Sequence, residues 1–375
     1  VTTGPVGDVA ALLERARAAG LAPGWAAVAA RAGVAGASWC AGAAAVGGRP
    51  VDAALLWDLA SLTKPLATAT LLLLARRDGL DLEAPIGGLL PELGGSPWAS
   101  ASFLRCATHT AGFPAWEPLY AAGVPSREAY LEALARARPA APPGRQVVYS
   151  CLGFIALGIA LERAGGCDLA SLFRELVAEP LGVADELLFA PPAGAAVAAG
   201  ARRPLAEARL LAERGLSAAP PPPPPGVAAC DDGHARGLAG AAGNAGLFGT
   251  AAAVACLVAE YLPGGGELLA ADEAALATAN LTPGLAQARG LGWQLAATPG
   301  CSAGPALPPS AFGHTGFTGG SVWADPESGA VMVLLGNRLH PGGRTPDLHP
   351  LRRRFHALAG AALWRRGDPR SIGGS

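Results

Sequence analysis

Residues Pro65–Leu74 read Pro-Leu-Ala-Thr-Ala-Thr-Leu-Leu-Leu-Leu, apolar on nearly every side. A helix of that kind has no polar face to give to water, so the rest of the chain must wrap around it. It is too short to cross a bilayer, which takes about 20 apolar residues. The residue that opens it, Lys64, is the only lysine in 375 residues; every other one of the 28 Lys+Arg positions is arginine. A buried ammonium needs partners or a lowered pKa. Arginine stays charged at any pH a protein meets, whereas a buried lysine can lose its proton and act as a base. Ser61 lies one helical turn earlier, in Asp58-Leu-Ala-Ser61-Leu-Thr-Lys64. The pair suggests a serine nucleophile with a lysine base. The apolar helix is expected to lower the Lys64 pKa to roughly 7–8, which suits a base near neutral pH.

Charged residues make up 15% of the chain and the net charge is −1. There is no basic stripe, so a nucleic-acid binder is not expected. The run Arg352-Arg353-Arg354 falls in a segment with helical apolar spacing and reads as a solvated helix face. The seven cysteines are widely spaced, without Cys-x-x-Cys, and most read as small core residues. The six histidines form no His-Glu-x-x-His. No metal and no cofactor is expected. No transmembrane segment is expected, and no basic segment followed by an apolar one marks an export signal at the N-terminus.

Val9–Ala19 carries Leu12, Leu13 and Ala16 on one side and is expected to be a helix. Trp25–Ala30 and Ala37–Ala45 are strand candidates joined by a turn near Gly33–Gly36. Further helices are expected at Arg127–Ala137, Gly153–Ala164, Leu169–Leu176, Leu247–Leu262 and Pro350–Arg365. Strands are expected at Gly290–Leu295, Ser321–Ala324 and Val331–Asn337, the last two split by the turn Asp325–Gly329. Pro191–Gly226 is rich in Ala and Pro and ends in six prolines, Pro220–Pro225. Such a run is extended and cannot enter a core sheet, so it reads as a surface excursion. Strands therefore lie at both ends and helices between them, and short links favour antiparallel pairing. The expected fold is α/β (α+β): an antiparallel sheet flanked by helices, from residues 1–75 and 235–375. A mostly helical domain, residues 76–234, is inserted in it, with the Pro-rich surface loop at 217–226.

Three more segments carry candidate chemistry. In Pro143-Gly144-Arg145-Gln-Val-Val-Tyr149-Ser150-Cys151, Tyr149 is one of only four tyrosines. Read alone it is a half-buried tyrosine near a helix start; beside Ser61 and Lys64 its phenol could share their proton. In Gly313-His314-Thr315-Gly316-Phe317-Thr318-Gly319-Gly320, the glycines let another backbone approach, and N–H groups at a strand edge can hold an oxyanion. Read alone it is a Gly-rich hairpin turn. Gly240-Ala-Ala-Gly243-Asn244-Ala-Gly246 also precedes a helix, but no Gly-Lys-Ser/Thr follows, so the phosphate-loop pattern is incomplete.

Together, Ser61-x-x-Lys64, Tyr149-Ser150-Cys151 and His314-Thr315-Gly316 resemble, in order and spacing, the serine β-lactamase and penicillin-binding-protein superfamily. The likeness is to its class-C-like branch of esterases, D-aminopeptidases and D,D-peptidases. Leu59–Lys64, Thr108-His109-Thr110-Ala-Gly112-Phe113, Pro143–Gly158 and Gly313–Arg338 carry it, over nearly the whole chain. The resemblance implies a β-lactamase/transpeptidase-like fold and a serine hydrolase acting through an acyl-enzyme on a small-molecule or peptide substrate. The roles it implies are Ser61 as nucleophile and Lys64 and Tyr149 as shared base. The Ser61 and Phe317 N–H groups hold the oxyanion, and Cys151, His314, Thr315 and Gly316 contact substrate. This chain departs from the pattern twice. Cys151 stands where the family usually has Asn, and His314 replaces the lysine of Lys-Thr-Gly. Cysteine is a weak donor and acceptor. These departures keep a second reading open, a degenerate member that binds cell-wall peptides or a protein partner. Family members are often periplasmic, which with no export signal visible leaves the compartment open.

Overall fold

The two ends of the chain meet inside one sheet. The computed structural model describes residues 5–32, 34–122, 125–201, 205–340, 342 and 345–366. Its strands are β1 (Gly24–Arg31), β2 (Val34–Gly42), β3 (Trp57–Asp58), β4 (Leu187–Phe189), β5 (Leu247–Gly249), β6 (Gln294–Leu295), β7 (Phe312–Thr315), β8 (Ser321–Asp325) and β9 (Ala330–Gly336). A six-stranded sheet runs β2-β1-β9-β8-β7-β6 and is antiparallel throughout. β1 pairs with β9 from Trp25↔Gly336 to Arg31↔Ala330, so N- and C-terminal segments share the middle of the sheet.

β9 is buried along its whole length because both faces of the sheet are covered. Ala330, Met332 and Leu334 face a cluster with Val9, Leu13, Phe355 and Leu363, from the helices Pro5–Ala18 and His349–Arg366. Val331, Val333 and Leu335 face the main core, with Leu62, Leu66 and Leu72. This period-2 division makes a helix–sheet–helix sandwich. The apolar segment after Ser61 lies in the main core, as its composition requires, and Leu66, Leu72 and Leu73 are fully buried. It is not one regular helix. A tight turn at Ala60–Leu62 leads into a wide π-type turn, Lys64–Ala69, before the α-helix Thr70–Arg77. Such widened turns concentrate at functional sites.

Several expected elements are corrected. Leu247–Leu262 is not all helix. Leu247–Gly249 is the centre strand of a small sheet, β3-β5-β4, and the helix starts at Ala251 with Thr250 as its cap. Pairing with Trp57 and Leu187 overrides the local helical pattern there. Of Gly290–Leu295 only β6 is strand, while β7 pairs with both β6 and β8. The excursion at Pro191–Gly226 includes a helix, Leu205–Glu213, and is tied back by bridges Leu56↔Val197 and Pro192↔Val227. The expected hairpin turn is tighter than Gly33–Gly36, since β2 already begins at Val34; residue 33 lies outside the described residues. Only Cys106 and Cys230 are core cysteines; Cys40 and Cys256 are exposed. Among the described residues, no helix is long and apolar enough to cross a membrane.

Candidate active site

Ser61 sits on a turn that the backbone resists. Ala60 before it has φ +47°, a left-handed conformation that costs a non-glycine residue about 1–3 kcal/mol. Asp58 holds it there. One carboxylate oxygen accepts from the Ala60 N–H (2.8 Å) and the other from the Asp231 N–H (2.7 Å). The Asp58 carbonyl accepts from the Thr318 hydroxyl (2.6 Å), which ties the Ser61 turn to the loop after β7. Burial, and then Asp231, push the Asp58 carboxyl up to about 7. Gly316 lies against the same turn; a Cβ there would stand 2.7 Å from the Leu59 carbonyl oxygen. Only glycine lets the edge of β7 come this close.

Lys64 is fully buried and makes three contacts. Its Nζ donates to Ser61 Oγ (3.0 Å), to the Asn244 carbonyl (3.0 Å) and to Cys151 Sγ (3.5 Å). An ammonium has three N–H bonds, and here each has an acceptor. Burial alone pushes the ammonium toward deprotonation, but Cys151, Tyr149 and Asp232 outweigh it and hold the pKa above the ordinary lysine value. The expectation of a lowered pKa is corrected: the apolar helix supplies the burial, and distant segments supply the partners. Burial pushes the Cys151 thiol up.

Tyr149 is brought to the same place. The Lys64 Nζ lies 5.0 Å from its ring centroid, and the His109 and His314 rings lie 4.7 and 5.7 Å away. His109 anchors the segment: its carbonyl accepts from the Val148 N–H (2.9 Å) and its Nδ1 from the Ser150 N–H (3.0 Å). Burial, with the nearby Arg289 cation, holds the His109 imidazole well below its usual range, so it is neutral and can accept. Ser150 caps the helix Cys151–Gly165. His314 is likewise held well below its usual range by burial and then Arg289. Its Nδ1 donates to the Thr315 carbonyl (2.9 Å), so Nε2 carries a lone pair and no proton.

Ser61, Tyr149, His314, Thr315, Gly316 and Phe317 line one cleft of about 640 Å³, within the range of small-molecule sites. Lys64 and Cys151 stand behind Ser61. Phe317 is 46% exposed, its carbonyl accepting from Arg338 Nε (2.6 Å). Three contributors escaped the sequence. Arg352 is not on a solvated face. It is buried, and Nη2 donates to the carbonyls of Gly316 (3.0 Å) and Gly320 (2.8 Å), bracing the loop after β7. Asn244 contributes a backbone carbonyl, from the loop that the incomplete phosphate pattern singled out. That loop packs on a helix: a Cβ on Gly243 would stand 1.9 Å from the Phe154 carbonyl oxygen. Arg289 is the third, with its Cζ 5.7 Å from the Tyr149 ring centroid. Among the described residues no cluster of His, Cys, Asp and Glu could hold a metal ion.

The Beta-lactamase family model matches residues 8–357, and the chain belongs to that family of hydrolases. It is 35% identical over 138 residues to the D-alanyl-D-alanine-carboxypeptidase/endopeptidase AmpH of Escherichia coli K12, 34% of this chain and 35% of that protein. It is 35% identical over 158 residues to the esterase EstB of Burkholderia gladioli, 37% of this chain and 40% of that protein. The chain thus matches well under half the length of these relatives. A class C β-lactamase structure superposes with a TM-score of 0.71 at 20% identity, over 96% of each chain, and has the same fold.

Proposed function

We propose that this protein is a serine hydrolase that works through an acyl-enzyme on an ester or an amide. The observation that carries the reading is the 3.0 Å contact between Lys64 Nζ and Ser61 Oγ beside the cleft. Ser61 Oγ attacks the carbonyl carbon. Its proton passes to Tyr149 Oη, which acts as a phenolate balanced by the Lys64 ammonium (5.0 Å from the ring centroid) and becomes the neutral phenol, while the same ammonium stabilises the charge forming on Oγ. The N–H groups of Ser61 and Phe317 take the oxyanion. Collapse of the tetrahedral intermediate breaks the bond to the leaving group, which receives the proton from Tyr149. Water repeats the sequence and frees Ser61. Thr315 and Gly316 line the substrate's path, and His314 offers it an acceptor and no positive charge.

Both bond types have support, since the relatives include one named an esterase and one named a carboxypeptidase. Cys151 weighs toward esters, because a thiol is a poor partner for a substrate amide. It is also the feature that favours the second reading, a non-catalytic binder. A fluorophosphonate probe with intact-mass analysis separates the two. One adduct, absent from Ser61→Ala, is expected; an unlabelled wild type, or labelling that survives Ser61→Ala, contradicts the proposal.

A further inference from the structure

One dipeptide behind the cleft braces both halves of the Ser61–Lys64 pair. The Asp231 N–H donates to Asp58 (2.7 Å), which holds the Ser61 turn. Asp232 reaches Lys64 through Asn244. The Asn244 carbonyl accepts from Lys64 Nζ (3.0 Å), and its side-chain Nδ2 donates to Asp232 Oδ2 (3.1 Å). Asn244 is fully buried, and its Oδ1 has no hydrogen-bond partner. A carboxylate only accepts, so the amide meets it with nitrogen and leaves its own oxygen unsatisfied. The loop is held in place, since Thr68 Oγ1 donates to the Gly243 carbonyl (2.7 Å).

The charges at the two ends of this link have no opposite charge hydrogen-bonded to them. Lys64 donates to a hydroxyl, a thiol and a carbonyl. The second oxygen of Asp232 accepts from the Ala235 N–H (2.9 Å) and caps the short helix Gly233–Gly237. His234, 3.8 Å from it, is held below its usual range by burial and is neutral. Arg236 lies 3.6 Å from Glu207 instead. Asp58, Asp231 and Glu207 all feel the repulsion of Asp232. A buried charge needs an opposite one. Tyr149 balances Lys64 only until its phenolate takes the Ser61 proton, a transfer in which Asp232 has no part. We propose that Asp232, held by Asn244, is the standing counter-ion of Lys64, a positioning residue that keeps the ammonium charged while Tyr149 is neutral. The balance of charge on Lys64 agrees: against burial stand Cys151, Tyr149 and then Asp232, the only carboxylate of the three. The inference rests on the acyl-transfer reading of Ser61 and adds a residue to it.

Because Lys64 is the sole lysine, lysine labelled with carbon-13 at Cε gives a single resonance that reports its charge without turnover. Asp232→Asn removes the charge and keeps a good helix cap. Its Lys64 resonance is expected to move toward the neutral amine at a pH about one unit lower than in wild type. Asp231→Asn removes the neighbouring carboxylate but keeps the N–H to Asp58, and should titrate like wild type. Circular dichroism confirms folding at each pH, and Asp232→Ser, another capping residue, repeats the test if Asp232→Asn does not fold. The rate of Ser61 acylation by a fluorophosphonate should lose its alkaline limb at a pH lower by the same amount. A merely structural cap would move neither midpoint. Equal titration of Lys64 in wild type and the Asp232 variant, or as large a shift in Asp231→Asn, overturns the counter-ion. An alkaline limb that stays in place while the resonance shifts overturns the positioning role and leaves acyl transfer standing. If the probe does not label wild type, acyl transfer fails instead, and the resonance alone decides the counter-ion.

Discussion

Lys64 and Arg289 are two buried cations that both lie over the Tyr149 ring, at 5.0 and 5.7 Å from its centroid, and they are provided for differently. Lys64 has an acceptor for each N–H, drawn from residues 61, 151 and 244. Arg289 has one side-chain acceptor among the described residues and an orphan Nε. A group that the fold satisfies has its work inside the protein. On this contrast Lys64 belongs to the machinery that acts on Ser61, and Arg289 rests on the Tyr149 ring. Asp58 stands between them, a buried carboxylate that accepts from two N–H groups and faces the repulsion of Asp231 and Asp232.

The largest effect is expected at Lys64. Lys64→Met removes the charge that stabilises the Ser61 alkoxide and leaves the Asn244 carbonyl buried without its donor. Acylation of Ser61 by a fluorophosphonate should slow by about 10²–10³-fold, the scale of removing one electrostatic stabiliser of the transition state. A folded Lys64→Met that acylates within a few-fold of wild type breaks the contrast, since both cations would then be dispensable to the chemistry.

Asp58 sharpens it through pH. Its native pKa of about 7 lies above the unfolded value of 3.8, so the native state binds the extra proton between them. By linkage this one group weakens the fold as pH rises from 4 to 7, by about 1.4 kcal/mol per pH unit at most. Above 7 its contribution is flat. Thermal unfolding of wild type and Asp58→Asn at intervals across that range should show the difference between them changing in the asparagine variant's favour as pH rises. A constant offset would mean that the carboxyl is not perturbed.

Cys151 carries the smallest effect. Cys151→Asn puts a strong donor and acceptor where a thiol now meets Lys64. One hydrogen bond of about 0.5–1.5 kcal/mol should raise amide turnover relative to ester turnover by about three- to tenfold. An unchanged ratio of D-amino-acid amide to p-nitrophenyl ester hydrolysis would make Cys151 a packing residue only.

What was legible in the sequence follows the range of each interaction. Ser61 and Lys64 sit three residues apart, so their pairing could be read directly, and the apolar run after them announced burial. Tyr149 and His314 were legible only through motif order. The strands β8 and β9 showed as apolar runs, while β5 is three residues long and is decided by partners 58 and more residues away. The charge of Lys64 departs from the expectation because burial is visible in a sequence and the approach of Cys151, Tyr149 and Asp232 from distant segments is not. Asn244 acts through its backbone, which leaves no mark on residue type. Arg352 looked like its neighbours Arg353 and Arg354. Only the packing of its helix against the loop after β7 turns one of the three inward.

The central claim is that Ser61 carries the acyl group. Acid quenching during turnover of mono-p-nitrophenyl glutarate, followed by peptide mass spectrometry, tests it most directly. The account predicts one glutaryl group, on the peptide that contains Ser61, appearing with the first release of p-nitrophenol and absent from Ser61→Ala. Turnover in which the glutaryl group is found on another residue, or an adduct that persists in Ser61→Ala, would contradict it.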